Sequence, residues 1–374
     1  MNAPTNPELL WYLPNFVETG HRGDTASPEE GYGTLDYQVG LAEAVEKAGW
    51  TGALLGTSWG RPDTFTVATA LAARTTTFEP LIAIRPGYWR PANFATSAAT
   101  LDQLSRGRVR VNIVSGQDDL AAYGDREDSR AVRYARTKEF MRLVRRLWTE
   151  ENVTFDGAHF QVADSTITPR PYATEDRPHP RLYFGGASPE AEAVAATEAD
   201  VQLFWGEPLD GIAERAERLQ SLEQSLGRDL APLEFGLRIT TLIRDTREEA
   251  WRDAEEKVRQ MADSVGDREF RRGRSAVGQS RLLDLADRGD VLDECLYTAP
   301  GKYGGGGAGT TWLVGSADDV AAALGRYQEL GVTHFVLSDT PYRTEVARVG
   351  EALIPRLREA DRVALTGPNG VRRS

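Results

Sequence analysis

The chain reads as an α/β protein of the (β/α)8 TIM-barrel class, and three observations predict this. Short β-rich apolar runs alternate with longer segments of helical period, the pattern that builds repeated βα units around a parallel sheet. Eight such units can be counted along the chain. The 374 residues hold that many units with room for insertions, since such barrels need roughly 250.

The first strand runs from Leu9 to Leu13 and is stopped by Pro14. A helix follows from Leu35 to Ala48, because Leu35, Val39, Ala42, Val45 and Ala48 recur at spacings of three and four before Gly49 closes it. Thr51 to Leu55 with Asp63 to Ala73 make the second unit, and Phe78 to Ile84 with Pro91 to Leu104 the third. Arg108 to Val114 and, after a polar loop, Arg133 to Trp148 make the fourth. Val153 to Val162 then predicts a hairpin turning at Asp156-Gly157, followed by a Pro-rich surface connection through Pro180.

Arg181 to Phe184, with a helix starting near Ser188, is the fifth unit. Val201 to Trp205 with Gly211 to Leu226 is the sixth, and Leu233 to Ile243 with Glu248 to Val265 the seventh. His334 to Leu337 with Glu345 to Leu357 closes the series. Residues 1–374 are thus expected to form a single barrel domain, with 261–312 as a mobile active-site insertion and 366–374 as a frayed tail. The insertion holds a basic cluster, Arg271, Arg272 and Arg274, and the glycine run from Tyr303 to Gly309.

Composition bounds the function. With 44 Lys+Arg against 56 Asp+Glu the formal charge is −12, which disfavours unspecific attraction to nucleic acid because phosphate neutralisation needs a basic face. One cysteine, Cys295, excludes an internal disulfide framework and leaves too few thiolates for a zinc ribbon or an iron–sulfur cluster. No segment approaches the roughly 18 uninterrupted apolar residues of a membrane span, and no secretory pattern opens the chain. A cytoplasmic protein without membrane or nucleic-acid partners is expected. The sequence has no H-E-x-x-H, no histidine pair at metal spacing and no G-x-S-x-G, so no metal site or hydrolase triad is expected. Of its four histidines, only His21, in the loop after the first strand, is placed to reach the barrel mouth.

Gly304, Gly306 and Gly309 match the letters of a dinucleotide fingerprint, but the β-like run Thr310 to Val314 follows where a helix must open. A hinge that closes the insertion is the functional reading kept. Gly185-Gly186-Ala187-Ser188-Pro189-Glu190 carries more: a strand ends, two glycines allow close backbone approach, Ser188 can cap and Pro189 fits the first turn. Such a helix start favours a phosphate, or is a well-capped connection and nothing else. Asn112, Ser115, Gly116 and Gln117 lie at the carboxyl end of strand four, and Trp205-Gly206-Glu207-Pro208 at that of strand six, offering an indole beside a carboxylate. Barrel enzymes place their sites on this face. Arg85 and Arg238 each set a guanidinium in or at the end of an apolar strand. Either an internal carboxylate satisfies them, or they face the mouth and hold an anion.

These segments, together with Leu10-Trp11-Tyr12-Leu13-Pro14, Leu101-Asp102-Gln103-Leu104-Ser105-Arg106-Gly107-Arg108 and Phe335-Val336-Leu337-Ser338, resemble the bacterial luciferase-like flavin monooxygenases, and among them the alkanesulfonate monooxygenases. The resemblance is collinear from about Leu9 to Arg358. It implies a cytoplasmic enzyme, a homodimer or homotetramer, that takes FMNH2 from a separate NAD(P)H:FMN reductase and uses O2 to oxygenate a small anionic organosulfur substrate, releasing sulfite and an aldehyde. By position, Asn112, Ser115, Tyr134, Gly186 and Ser188 would contact the flavin, and Arg238 and Arg85 would serve the substrate, with Trp205 in the catalytic group. Several family positions are altered. The histidine on strand seven falls at Thr240, the tyrosine after strand eight at Thr340, a nearby histidine at Tyr342, a cysteine at Arg61 and the mobile-loop arginine at Gly305. Tyr342 or His21 then stands in as acid or base. Oxygenation of a sulfone, or of a nitrogen heterocycle or amine, is the alternative activity; a non-catalytic flavin binder or a deazaflavin enzyme on the same barrel is a further one.

Overall fold

The computed structural model describes residues 7–15, 31, 34–115, 120–126, 128–264, 277–303 and 310–366. In chain order the elements are β1 (Glu8–Leu13), α1 (Leu35–Lys47), β2 (Gly52–Leu55), α2 (Thr64–Ala72), β3 (Glu79–Ile84), α3 (Pro91–Ser105), β4 (Arg110–Ile113) and α4 (Arg130–Thr149). A hairpin of β5 (Val153–Asp156) and β6 (Gln161–Ser165) precedes β7 (Arg181–Gly185), α5 (Pro189–Glu198), β8 (Val201–Trp205), α6 (Leu209–Ser225), β9 (Glu234–Ile243) and α7 (Arg247–Ser264). Then come α8 (Val277–Arg288), β10 (Val291–Leu292), β11 (Leu296–Tyr297), β12 (Trp312–Gly315), α9 (Ala317–Glu329), β13 (Val332–Ser338) and α10 (Tyr342–Thr366).

The strands β9, β13, β1, β2, β3, β4, β7 and β8 are neighbours in that order, and pairing of β8 with β9 closes a parallel eight-stranded barrel. The expected strands are all present. The described part of 261–312 departs from a plain loop. It contains α8 and the antiparallel pair β10–β11, and β11 in turn pairs with β12. β9 is ten residues long: its first part pairs with β13, while Thr240 to Ile243 pairs with β12. Helix α9, which the reading of eight units omits, starts at a reciprocal capping box between Ser316 and Asp319. Residues 265–276, with the three arginines, the glycines 304–309 and the tail 367–374 lie outside the described residues. No described helix is long and apolar enough to cross a membrane.

Two compact units can be distinguished, a central one (54–202 with 218–233) and a terminal one (1–53, 203–217 and 234–374). Phe94 is fully buried in the central unit and meets Phe65, Phe140 and Trp148 with ring centroids 5.3–6.1 Å apart. The segment Asp102 to Arg108, one carrier of the family resemblance, is structural there. The buried Asp102 carboxylate accepts two bonds from Arg177, at 2.7 and 3.0 Å, and one from the Tyr172 N–H at 2.9 Å. Arg108 donates to the carbonyls of Ser105, Phe78 and Ala72 at 2.8–2.9 Å. Gly107 turns with φ +86, and a Cβ there would sit 3.0 Å from the Tyr172 ring.

In the terminal unit Trp11 lies against Trp50, whose indole N–H reaches the Val346 carbonyl at 3.0 Å. His334 meets Glu234 at 2.6 Å, in keeping with its reading as a structural residue. Burial pushes the Cys295 thiol up to about 11, which keeps it protonated and inert.

Candidate active site

In the central unit, Asn112 sits in β4 at 8% exposure, and its amide oxygen has no hydrogen-bond partner among the described residues. Buried acceptors are seldom left so. Three residues on, Ser115 shares a 2.5 Å bond with the Thr137 hydroxyl, which anchors it to α4.

Beyond β7, Gly186 adopts φ +146, and a Cβ would come within 2.5 Å of Ala191 Cβ and 3.6 Å of the Tyr134 hydroxyl. Only glycine lets α5 start so close to the strand. Ser188 caps α5 by accepting the Ala191 N–H and also bonds Tyr134. Burial pushes the Tyr134 phenol up, and the Ser188 bond works against that rise. Glu190, in the first turn of α5, is held below the usual carboxylate range by its own backbone N–H and by Ser188. This helix start therefore draws an anion even from its own chain.

Arg85 follows β3, is buried, and lines a narrow cleft with Gly87, Ser115, Leu120 and Asp125. The Asp125 carboxylate is engaged by Arg136, at 2.8 and 2.7 Å. Burial opposes its charge, but the Arg136 contacts prevail and hold it below the ordinary value. Gly116 and Gln117 lie outside the described residues.

In the terminal unit, the Arg238 guanidinium lies 4.5 Å above the Tyr12 ring, a cation–π contact that leaves the guanidinium's donors in its own plane. Tyr342, the first residue of α10, approaches Tyr12 with centroids 6.2 Å apart, and both tyrosines are buried. Thr240 and Ser338 share a 3.1 Å hydroxyl contact. Trp205 is half-buried, with no hydrogen-bond partner for its indole N–H among the described residues.

Its neighbour Glu207 corrects an expectation. The carboxylate is not offered to a ligand: it is buried, takes Arg281 at 2.7 Å on both oxygens and meets Arg215 at 3.1 Å. A buried carboxylate needs such partners. His21 lies outside the described residues.

Sequence reasoning missed a buried ionic group behind β9 and β13. Lys257 of α7 donates to Asp339 Oδ1 at 2.7 Å and to the Thr340 carbonyl at 2.6 Å. Arg244 binds Asp253 at 2.6 Å and approaches Glu345 at 3.4 Å, while Arg348 binds Glu345 at 2.9 Å. Burial, with Asp339 adding to it, pushes Glu345 up to about 7. No motif marks these residues, because each lies on an ordinary amphipathic helix or just past a strand.

A model of the luciferase-like monooxygenases matches residues 10–334. The chain belongs to that family. Its enzyme class is accordingly that of the flavin-dependent monooxygenases, with O2 as co-substrate. Among solved structures, the EDTA monooxygenase from Chelativorans sp. BNC1 is 16% identical with a TM-score of 0.75, over 95% of this chain and 94% of that one. DmoA from Hyphomicrobium sulfonivorans is 18% identical at a TM-score of 0.74, over 98% and 93%. A riboflavin lyase is 22% identical at 0.73, over 94% and 92%. At these identities the structural likeness speaks for the luciferase-like barrel alone.

Proposed function

We propose that this luciferase-like monooxygenase is the oxygenating partner of a two-component system, a cytoplasmic homo-oligomer using FMNH2 from a separate NAD(P)H:FMN reductase to cleave the carbon–sulfur bond of a small sulfonate. The observation that carries the flavin part is the Asn112 amide oxygen, buried without a donor among the described residues. A ring N–H of an isoalloxazine is the kind of donor it lacks. Tyr134, Ser188 and the N–H groups at the start of α5 would hold the flavin phosphate, with Gly186 keeping that approach open and Ser115 fixed beside the cleft. Reduced FMN supplies the two electrons that let O2 deliver one oxygen to substrate and the other to water.

The balance closes for a primary sulfonate: RCH2SO3⁻, O2 and FMNH2 give RCHO, HSO3⁻, FMN and H2O. In this reading Arg238 fixes the sulfonate, its guanidinium being oriented by the Tyr12 ring it lies over. Tyr12 and Tyr342 form an apolar wall that excludes water, and the Tyr342 phenol or His21 handles the proton. Trp205, the last residue of β8, has an indole N–H without a partner among the described residues and would offer it to the substrate.

Rapid mixing of the chain with FMNH2 and O2 in the presence of alkanesulfonates tests this reading. Sulfite should appear in proportion to flavin oxidised; flavin oxidation without sulfite for every sulfonate rejects the organosulfur assignment, and release of an N-oxide or ammonia from an amine would replace it. Arg238→Ala should raise KM by about 10- to 100-fold, the loss of one charge-assisted contact, while FMN affinity stays constant.

A further inference from the structure

Three aromatic residues of the central unit stand on successive segments after β2, β3 and β4. Tyr88 and Tyr123 are stacked, with centroids 3.7 Å and planes 22° apart. Trp59 sets its ring at 80° to Tyr123 with centroids 4.8 Å apart. Trp59 is 52% exposed although it is the largest apolar side chain type. Single exposed apolar residues are ordinary; an indole braced against a stacked pair is a different arrangement, because its ring is already immobilised and offers a flat surface at little further entropic cost.

The same segments build the cleft at Arg85. The Tyr88 N–H donates to the Arg85 carbonyl at 3.1 Å, so Tyr88 completes the turn that Arg85 begins. Across from it, Tyr123 and Asp125 both return their N–H groups to the Leu120 carbonyl, at 3.1 and 2.9 Å, and Leu120 and Asp125 line the cleft. At Gly87 a Cβ would overlap the Asp125 carboxylate, so the Asp125 side chain packs directly on the Gly87 backbone. The stacked rings and the residues of the Arg85 cleft are thus carried on the same two segments. An alkyl chain gains nothing specific from a stacked ring and an edge-on indole, whereas a planar π-system does.

We propose that Trp59, Tyr123 and Tyr88 form a stacking platform for a planar ring of the substrate, and that Arg85 contacts the anionic group attached to that ring. The choice of a sulfonate as that group rests on the function proposed above; the platform itself does not.

The test uses the full chain saturated with FMN and calorimetric titration with benzenesulfonate and cyclohexanesulfonate, which match in charge and nearly in size but differ in their π-faces. Benzenesulfonate should bind about tenfold more tightly. Trp59→Leu should bring that ratio close to one by weakening benzenesulfonate alone, Trp59→Phe should restore most of it, and Arg85→Gln should weaken both probes alike. FMN affinity and the melting temperature of the Trp59 variants should match the parent chain.

Equal affinities in the parent chain, or an unaltered ratio in Trp59→Leu, overturn the platform. So does a changed sedimentation coefficient with an unaltered ratio, which would assign the rings to a contact between copies of the chain. If neither sulfonate binds but benzoate is preferred over cyclohexanecarboxylate in a Trp59-dependent way, the platform stands and the organosulfur reading fails. Binding of none of the four overturns the platform as well.

Discussion

In the central unit, Asn112 keeps a buried amide oxygen without an internal partner and the start of α5 draws in Glu190, whereas in the terminal unit Lys257, Arg244 and Arg348 each hold a carboxylate of the same unit. The first arrangement leaves hydrogen-bonding capacity for something that arrives later. The second uses its capacity to hold the chain in place, here the turn that joins β13 to α10 and so sets Tyr342 against Tyr12. Unsatisfied polar groups cost stability in the unliganded fold; a paired charge cluster costs desolvation but fixes geometry. These two clusters therefore differ in whether the partners of their polar groups are built in.

The sharpest way to break this comparison is Lys257→Met. It strips the ammonium from Asp339 and the Thr340 carbonyl and leaves a buried carboxylate short of a counter-charge, which should destabilise the chain by about 3–5 kcal/mol in urea unfolding. If stability barely changes, the terminal cluster is not a structural clamp.

A smaller effect concerns Glu345. Its folded value, raised to about 7 by burial and by Asp339, exceeds the roughly 4.3 of an unfolded glutamate. The folded state then binds more protons between those limits, so its contribution is full below the unfolded value and is lost as pH rises through about 7. The melting temperature of the parent chain should carry this decline from about pH 4.5 upward, and Glu345→Gln should flatten it. An unchanged pH profile in the variant would show that Glu345 stays ionised.

The mildest change is Asn112→Leu, which removes the orphan acceptor. Flavin affinity should fall about tenfold, one hydrogen bond's worth, with no loss of melting temperature. A loss of stability comparable to that of Lys257→Met would mean that Asn112 is satisfied within the fold and that the two units do not differ.

Much of the candidate site was legible because its signals are local. Ser188-Pro189 after Gly185-Gly186 announces a capped helix start, and the structure has Ser188 as the cap of α5. Arg85, Asn112 and Arg238 stood out as polar residues in apolar runs. The partners of Glu207 could not be read along the chain, since Arg215 and Arg281 lie eight and 74 residues away. The sequence reading took 261–312 as one insertion and so passed over α8, and it missed α9; of the short strands there, β10 and β11 have two residues each, too few for periodicity to register.

What the amino-acid sequence determined by itself is the succession of strands and helices, their caps and the family to which the chain belongs. Hydrophobic period and capping chemistry act within a turn or two of backbone, so they can be read along the chain. Only the tertiary structure decided that Lys257 meets Asp339 across 82 residues, that burial raises the Glu345 carboxyl and that Trp59 leans on Tyr123. Ion pairing, desolvation and ring stacking depend on what closure of the fold brings within a few ångströms, and that proximity has no local signature.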